Sequence, residues 1–306
     1  MSSGLVRSGP CHGLREVGFL PSVNGIRHGL AGAVDRRLIR DARSSRPLRI
    51  GSSTMCGRYA LDVTGTDLAA VFGAVPGTAE AWSPSWNVTP SSLVPVIRRQ
   101  ASEIRVDLLR WGLVPAWSGD PGVGARMINA RSETIRTRPS FRDSFRDARC
   151  LVPIRGFYEW TGGARRRRPM AVRAVDGGLL ALAGVWARSV MDDGTMLETF
   201  SIVTSDAGPT LARIHHRMPV ILRDDDADRW LDARHPADGG PSAEELESML
   251  ASADDRELRV HPVSTRVNAP GHDDPGLLEE CPHDDVGTEP GLFDGNDDEE
   301  PDAGIS

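Results

Sequence analysis

The strongest constraint on how this 306-residue chain folds is a rhythm of short apolar stretches, each ended by a turn before a long helix could form. Between residues 104 and 111, Ile104, Val106 and Leu108 alternate with Arg105 and Asp107, the period-two pattern of a strand with one buried face. Residues 93–98 read as its partner, and further strands are expected at 150–154, 199–204, 218–222 and 258–264. A hairpin is expected around Asp176-Gly177-Gly178 and another turn at Asp193-Gly194. Helical signals are brief. A stretch at 66–72 stops at Gly73, Phe141, Phe145 and Ala148 mark one apolar face, and Pro209 opens a third helix. Ser242 with Glu245 makes a capping box for a helix through Leu250. The fold class expected is α+β: a strand-rich, barrel-like single domain of mixed or antiparallel sheets with short flanking helices.

Charge divides the chain into three. Residues 1–54 carry nine arginines against three acids and no sustained apolar period, so they are expected to be a disordered extension or the product of a start codon placed too early. Residues 271–306 carry thirteen acids and no base, and the chain beyond His272 is expected to be disordered. The remainder is neutral overall, so the acidic total is no argument against a local basic groove. The expected organisation is an extension at 1–54, a folded domain at 55–280 and an acidic tail at 281–306. Cysteines 11, 56, 150 and 281 show neither a C-x-x-C pair nor zinc-ligand spacing, which suits a reduced compartment and no metal. No apolar run is long enough to span a membrane, and no secretory core opens the chain. A cytoplasmic protein is expected.

The chemistry centres on Met55-Cys56-Gly57-Arg58-Tyr59. If the working chain begins at Met55 and loses it, Cys56 becomes a terminal 1,2-aminothiol, which condenses with aldehydes through its amine and closes a thiazolidine through its thiol. If the preceding residues remain, Cys56 is a small buried residue like many unpaired cysteines. Four other clusters gather unusual side chains. Residues 128–134 include Asn129 and Arg131; residues 156–160 set Glu159 among three aromatics, where a carboxyl is either raised into the neutral range or faces solvent. His215 and His216 are adjacent and would point apart on a regular backbone, so one at most reaches a site and a metal pair is not expected. The indoles of Trp111 and Trp117 are suited either to stacking on bases or to a core.

In order, the motifs M-C-G-R-Y, W-G-L-V-P-x-W, N-A-R-x-E-T, R-C-L-V-P-x-x-G-F-Y-E-W, H-x-R-M-P-V-I-L and H-P-V-S-x-x-V-N resemble the SRAP family, the SOS-response-associated proteins that capture abasic sites in single-stranded DNA. The resemblance runs from Met55 to about Leu278. It implies that Cys56 forms the thiazolidine with the opened sugar, that Glu159 assists the amine, that His215 exchanges protons as the ring opens, and that Asn129 holds the cysteine and the sugar. It further implies that Arg58, Arg131 and Arg217 line a phosphate path, and that Trp111 and Trp160 stand near the lesion. His216 inherits no role. The implied partner is single-stranded DNA containing abasic sites, bound by a monomer without cofactor, metal or membrane, cytoplasmic and nucleoid-associated when on DNA. The implied activity is DNA-protein cross-linking with lyase-like chemistry. Two alternatives remain open: a cysteine-type, self-processing peptidase, and a non-covalent binding module for single-stranded or modified DNA.

Overall fold

The computed structural model describes residues 56–162, 167–251 and 255–281. In chain order these form β1 (Tyr59–Leu61), α1 (Gly65–Val71), β2 (Ser85–Val88), β3 (Leu93–Gln100), β4 (Glu103–Trp111), β5 (Asn129–Arg131), α2 (Arg142–Asp147), β6 (Arg149–Ile154) and β7 (Gly156–Thr161). There follow β8 (Arg168–Ala174), β9 (Leu180–Val190), β10 (Met196–Asp206), β11 (Arg217–Pro219), β12 (Ile221–Leu222), α3 (Asp224–Leu231), α4 (Ala243–Leu250) and β13 (Leu258–Pro262). The strand-rich α+β expectation holds.

Two sheets account for the strands. One is antiparallel, in the order β13-β8-β7-β1-β2. In the other, β10, β4, β3, β6 and β9 follow one another, and the pairing of β9 with β10 closes them into a five-stranded barrel. Closure leaves those five strands without a free edge. The join of β4 to β10 is parallel, and β5 also lies parallel on β10, while β11 and β12 extend β10 and β9.

Local signals act where they were read. The β3–β4 alternation pairs in register from Leu93–Arg110 to Gln100–Glu103. At the β9–β10 turn Gly194 takes a φ of +81°, a conformation open to glycine, while the Thr195 N–H donates to Asp193 Oδ1 at 2.9 Å. Ser242 Oγ accepts from the Glu245 N–H at 3.1 Å and starts α4.

Four expectations fail for reasons that lie outside the local sequence. The turn at Asp176-Gly177-Gly178 joins no hairpin: β8 before it pairs with β7 and β13, β9 after it with barrel strands, so it carries the chain from one sheet to the other. Pro209 is followed only by a short 3-10 turn, Leu211–Arg213. The stretch 218–222 is split, because β11 pairs with β10 and β12 with β9, with Val220 donating to Val203 O and accepting from Ala183 N between them. Residues 273–281 are ordered, not disordered: Leu277 and Leu278 are buried, and the Cys281 N–H returns to Pro262 O at 2.9 Å. Neither β2 nor α3 is among the expected elements, although the acids at 224–226 ahead of Ala227, Trp230 and Leu231, spaced i, i+3 and i+4, mark a helix start.

That terminal segment forms a strap over the first sheet, burying Val263, Val267, Leu277 and Leu278 against Ala60, Tyr158 and Ala171. Asn87 fastens it. Its Nδ2 donates to the carbonyls of Ala269 at 3.2 Å and His272 at 2.6 Å, and its Oδ1 accepts from Arg58, which also donates to Val267 O at 2.7 Å. Replacing Asn87 by alanine leaves these buried partners short of bonds, and a loss of about 2–3 kcal/mol in a urea melt is expected, with faster amide exchange confined to the strap.

Candidate active site

Cys56 lies just before β1 in a left-handed backbone conformation, φ +45°, and its side chain is wholly buried. The register of β1 against β7 pairs Tyr59 with Phe157, and Tyr158 N–H donates to Arg58 O, so the chain before β1 continues toward Glu159. There the Cys56 nitrogen donates to Glu159 Oε1 at 2.7 Å. Two residues 103 positions apart thus meet because two short strands pair.

Glu159 is only 5% exposed, and burial lifts its carboxyl to about 7. The N–H groups of Cys56 and Trp160 and the charge of Arg167 hold it from going higher. Burial, and then the negative charge of Glu159, push the Cys56 thiol well above its ordinary range. Of the two sequence readings for this carboxyl, the buried one is correct. A group titrating near neutrality can both take and return a proton there.

His215 is half-buried at the loop leading into β11. Its Nδ1 accepts the Arg217 N–H at 3.1 Å, so that nitrogen keeps its lone pair and the neutral ring carries its proton on Nε2. Burial, and next the neighbouring His216, lower its pKa. The two imidazoles do not point apart: the irregular backbone here stacks them with centroids 4.4 Å apart. Arg167, just before β8, acts electrostatically on both Glu159 and His215.

β10 gathers the remaining polar residues. β5 sets Asn129 beside Ile202 and Arg131 beside Thr204, while β11 sets Arg217 beside Asp206 from the other side. Arg217 is 8% exposed and held by Glu133 at 2.6 Å, Asp206 at 2.8 Å and the Thr204 carbonyl. Arg58 is half-buried and fastened to the strap. Of the three arginines expected along a phosphate path, Arg131 is therefore the one exposed to solvent. Arg217 and Arg58 are already bonded and hold the backbone around the site.

The indoles separate in the same way. Trp111 is 1% exposed, its Nε1 donates to Ile128 O at 2.9 Å, and its ring lies between Tyr59, at 5.0 Å, and Phe200, at 6.4 Å. It is a pillar between the first sheet and the barrel beside Asn129, and no face of it is open to a base. Trp117, from the same stretch, is 67% exposed. Trp160 is half-buried on the strap cluster with Nε1 donating to Asn268 Oδ1 at 2.7 Å. Sequence reasoning assigned no role to Asn87, Asn268 or Arg167; of these only Asn268 lies in a motif, as the last residue of H-P-V-S-x-x-V-N.

Among the described residues no group of three His, Cys, Asp or Glu side chains is placed to hold a metal, and no helix is long and apolar enough to cross a membrane.

Comparison with known proteins gives a consistent result. Residues 55–270 match the family described as SOS response associated peptidase (SRAP). Abasic site processing protein YoqW of Bacillus subtilis strain 168 is 35% identical over 227 residues, 74% of this chain and 99% of that protein. Abasic site processing protein HMCES of Gallus gallus is 31% identical over 229 residues, 64% of this chain and 66% of its own. A solved structure from Bacteroides thetaiotaomicron superposes with a TM-score of 0.66 at 25% identity, covering 74% of this chain and 100% of that one.

Proposed function

The chain belongs to the SOS response associated peptidase family, and from that premise we propose that it processes abasic sites in single-stranded DNA by trapping the opened sugar on Cys56. The observation that carries this reading is the 2.7 Å contact between the Cys56 nitrogen and a carboxyl lifted to about 7. Once Cys56 is terminal this nitrogen is an amine, and a nucleophile and a proton acceptor and donor stand side by side.

With Cys56 terminal, its α-amine attacks the aldehyde carbon of the ring-opened deoxyribose. Glu159 takes the amine's proton and returns it as the carbinolamine loses water, leaving an imine. The thiol then adds: a sulfur–carbon bond forms, the C=N electron pair moves to nitrogen, and nitrogen takes the proton that sulfur gives up. Water is the only molecule released. His215, neutral with Nε2–H, exchanges a proton at the ring oxygen as the sugar opens, and Asn129 orients amine and sugar. An abasic site has no base to read, so recognition falls to phosphate contacts and stacking. Arg131 and Arg167 supply the first, and Trp117 and Trp160 the second.

A second reading, self-processing at the Met55-Cys56 bond, is supported by the left-handed backbone at Cys56, a strained conformation for a residue with a side chain. One experiment separates the outcomes. Chains beginning at Met1 and at Met55 are mixed with single-stranded DNA bearing one abasic site and run on a denaturing gel. A heat-stable band for the Met55 chain alone means that residues 1–54 block the amine. A band for both means that the extension is removed, and mass spectrometry then finds Cys56 at the new terminus. No band for either overturns the covalent reading.

A further inference from the structure

Tyr59 and Glu159 share one face of the β1–β7 ladder, the face turned to the main core, in which Cys56, just before β1, is also buried. Tyr59 pairs directly with Phe157, and Glu159, two residues on, is its diagonal neighbour on the same side of the sheet, a separation that long side chains span. The Tyr59 side chain is wholly buried in the same cluster as Cys56, with its ring against Trp111. Its hydroxyl has no hydrogen-bond partner among the described residues. A buried hydroxyl in that condition destabilises a fold, and phenylalanine would fill the same space without the cost. An orphaned donor beside a reactive sulfur therefore calls for a partner that exists only while the reaction runs.

We propose that the Tyr59 hydroxyl donates a hydrogen bond to Cys56 Sγ as the thiol gives up its proton, which makes Tyr59 a further residue of the trapping reaction. The inference rests on the reaction proposed above. As the imine forms, the thiol must pass its proton to nitrogen within an apolar pocket, where a bare thiolate is disfavoured. A neutral donor that turns to the sulfur lowers that cost without adding a charge. Burial keeps the phenol itself protonated, with the Cys56 charge adding to the effect, so Tyr59 acts as donor and not as base. The phenol neither gains nor loses a proton over the cycle.

The test compares wild type with Tyr59→Phe, in the 306-residue chain and in the chain beginning at Met55. The rate of the covalent band is followed against pH, non-covalent affinity for the same DNA is measured beside it, and the Cys56 thiol is titrated by thiolate absorbance against a Cys56→Ser reference. Expected for Tyr59→Phe are an equal or higher melting temperature, unchanged affinity, a rate about tenfold lower near neutrality, and a Cys56 titration moved upward by roughly one pH unit. A wild-type rate with an unmoved titration overturns the proposal. So does a lower melting temperature, which would mean that the hydroxyl has a partner at rest, or a slowing that is equal at every pH and accompanied by lost affinity. The titration needs no DNA: if wild type forms no band, the proposed function fails while the titration still decides on Tyr59.

Discussion

Replacing Cys56 by alanine in the chain beginning at Met55 is expected to remove the heat-stable DNA adduct entirely while leaving non-covalent binding within a few fold. The alanine chain keeps an α-amine beside Glu159, so it still condenses with the aldehyde, but the imine has no thiol to close on it and hydrolyses on denaturation. Borohydride added during the reaction should therefore restore a band for Cys56→Ala and change little for wild type, whose thiazolidine needs no reduction. A band without borohydride would refute the role of the sulfur. The wholly buried side chain sits in the main core, so the truncation also costs about 1 kcal/mol of stability. Cys56→Ser, which keeps the volume, provides the control for that effect.

Glu159→Gln is expected to slow adduct formation by about 10²–10⁴, the range for loss of a positioned acid-base group. Glutamine can still accept the Cys56 N–H through its carbonyl, so the geometry of the contact survives and the proton transfer does not. A rate within threefold of wild type would rule out the role. The same substitution has an opposite effect on stability, and the direction follows from the raised pKa. Below the ordinary carboxyl range Glu159 is protonated in both folded and unfolded chains. As pH rises from about 4.5 to about 7, the unfolded chain releases the proton while the folded one retains it, so stability falls across that window. Above it the folded 306-residue chain, with an uncharged peptide nitrogen at Cys56, holds an ionised buried carboxylate at a cost on the order of 3 kcal/mol. Glu159→Gln should match wild type near pH 4 and exceed it near pH 8 in a denaturant melt. A gain equal at both pH values would place the titration elsewhere.

Much of the site was legible as residues and little of it as contacts. The motifs single out Cys56, Asn129, Glu159, His215 and the three arginines, yet the contact that matters most joins positions 103 apart. The aromatic residues show the same limit. Trp111 and Trp117 occupy one turn-prone stretch of similar composition, and nothing within it says which indole is a pillar and which is exposed. The difference is that Tyr59 and Phe200, from two different sheets, close on Trp111. Arg131 and Arg217 read alike in sequence, but Glu133 and Asp206 consume the second while the first stays in solvent.

The sequence by itself determined what depends on neighbours a few residues away: the alternation of β3 and β4, the Ser242 cap of α4, the Asp193-Gly194 turn, and the residue types on which an aldehyde trap depends. Those features follow from steric and hydrogen-bonding preferences that act within one turn or one strand. Tertiary structure alone decided that Asp176-Gly177-Gly178 passes between sheets, that 218–222 divides between two partners, that the strap is ordered and that Glu159 is buried against Cys56. Each of these turns on which distant surfaces bury one another, a free energy summed over the whole assembly. Desolvation, which moves the Glu159 carboxyl to about 7, exists only once the fold has closed around it.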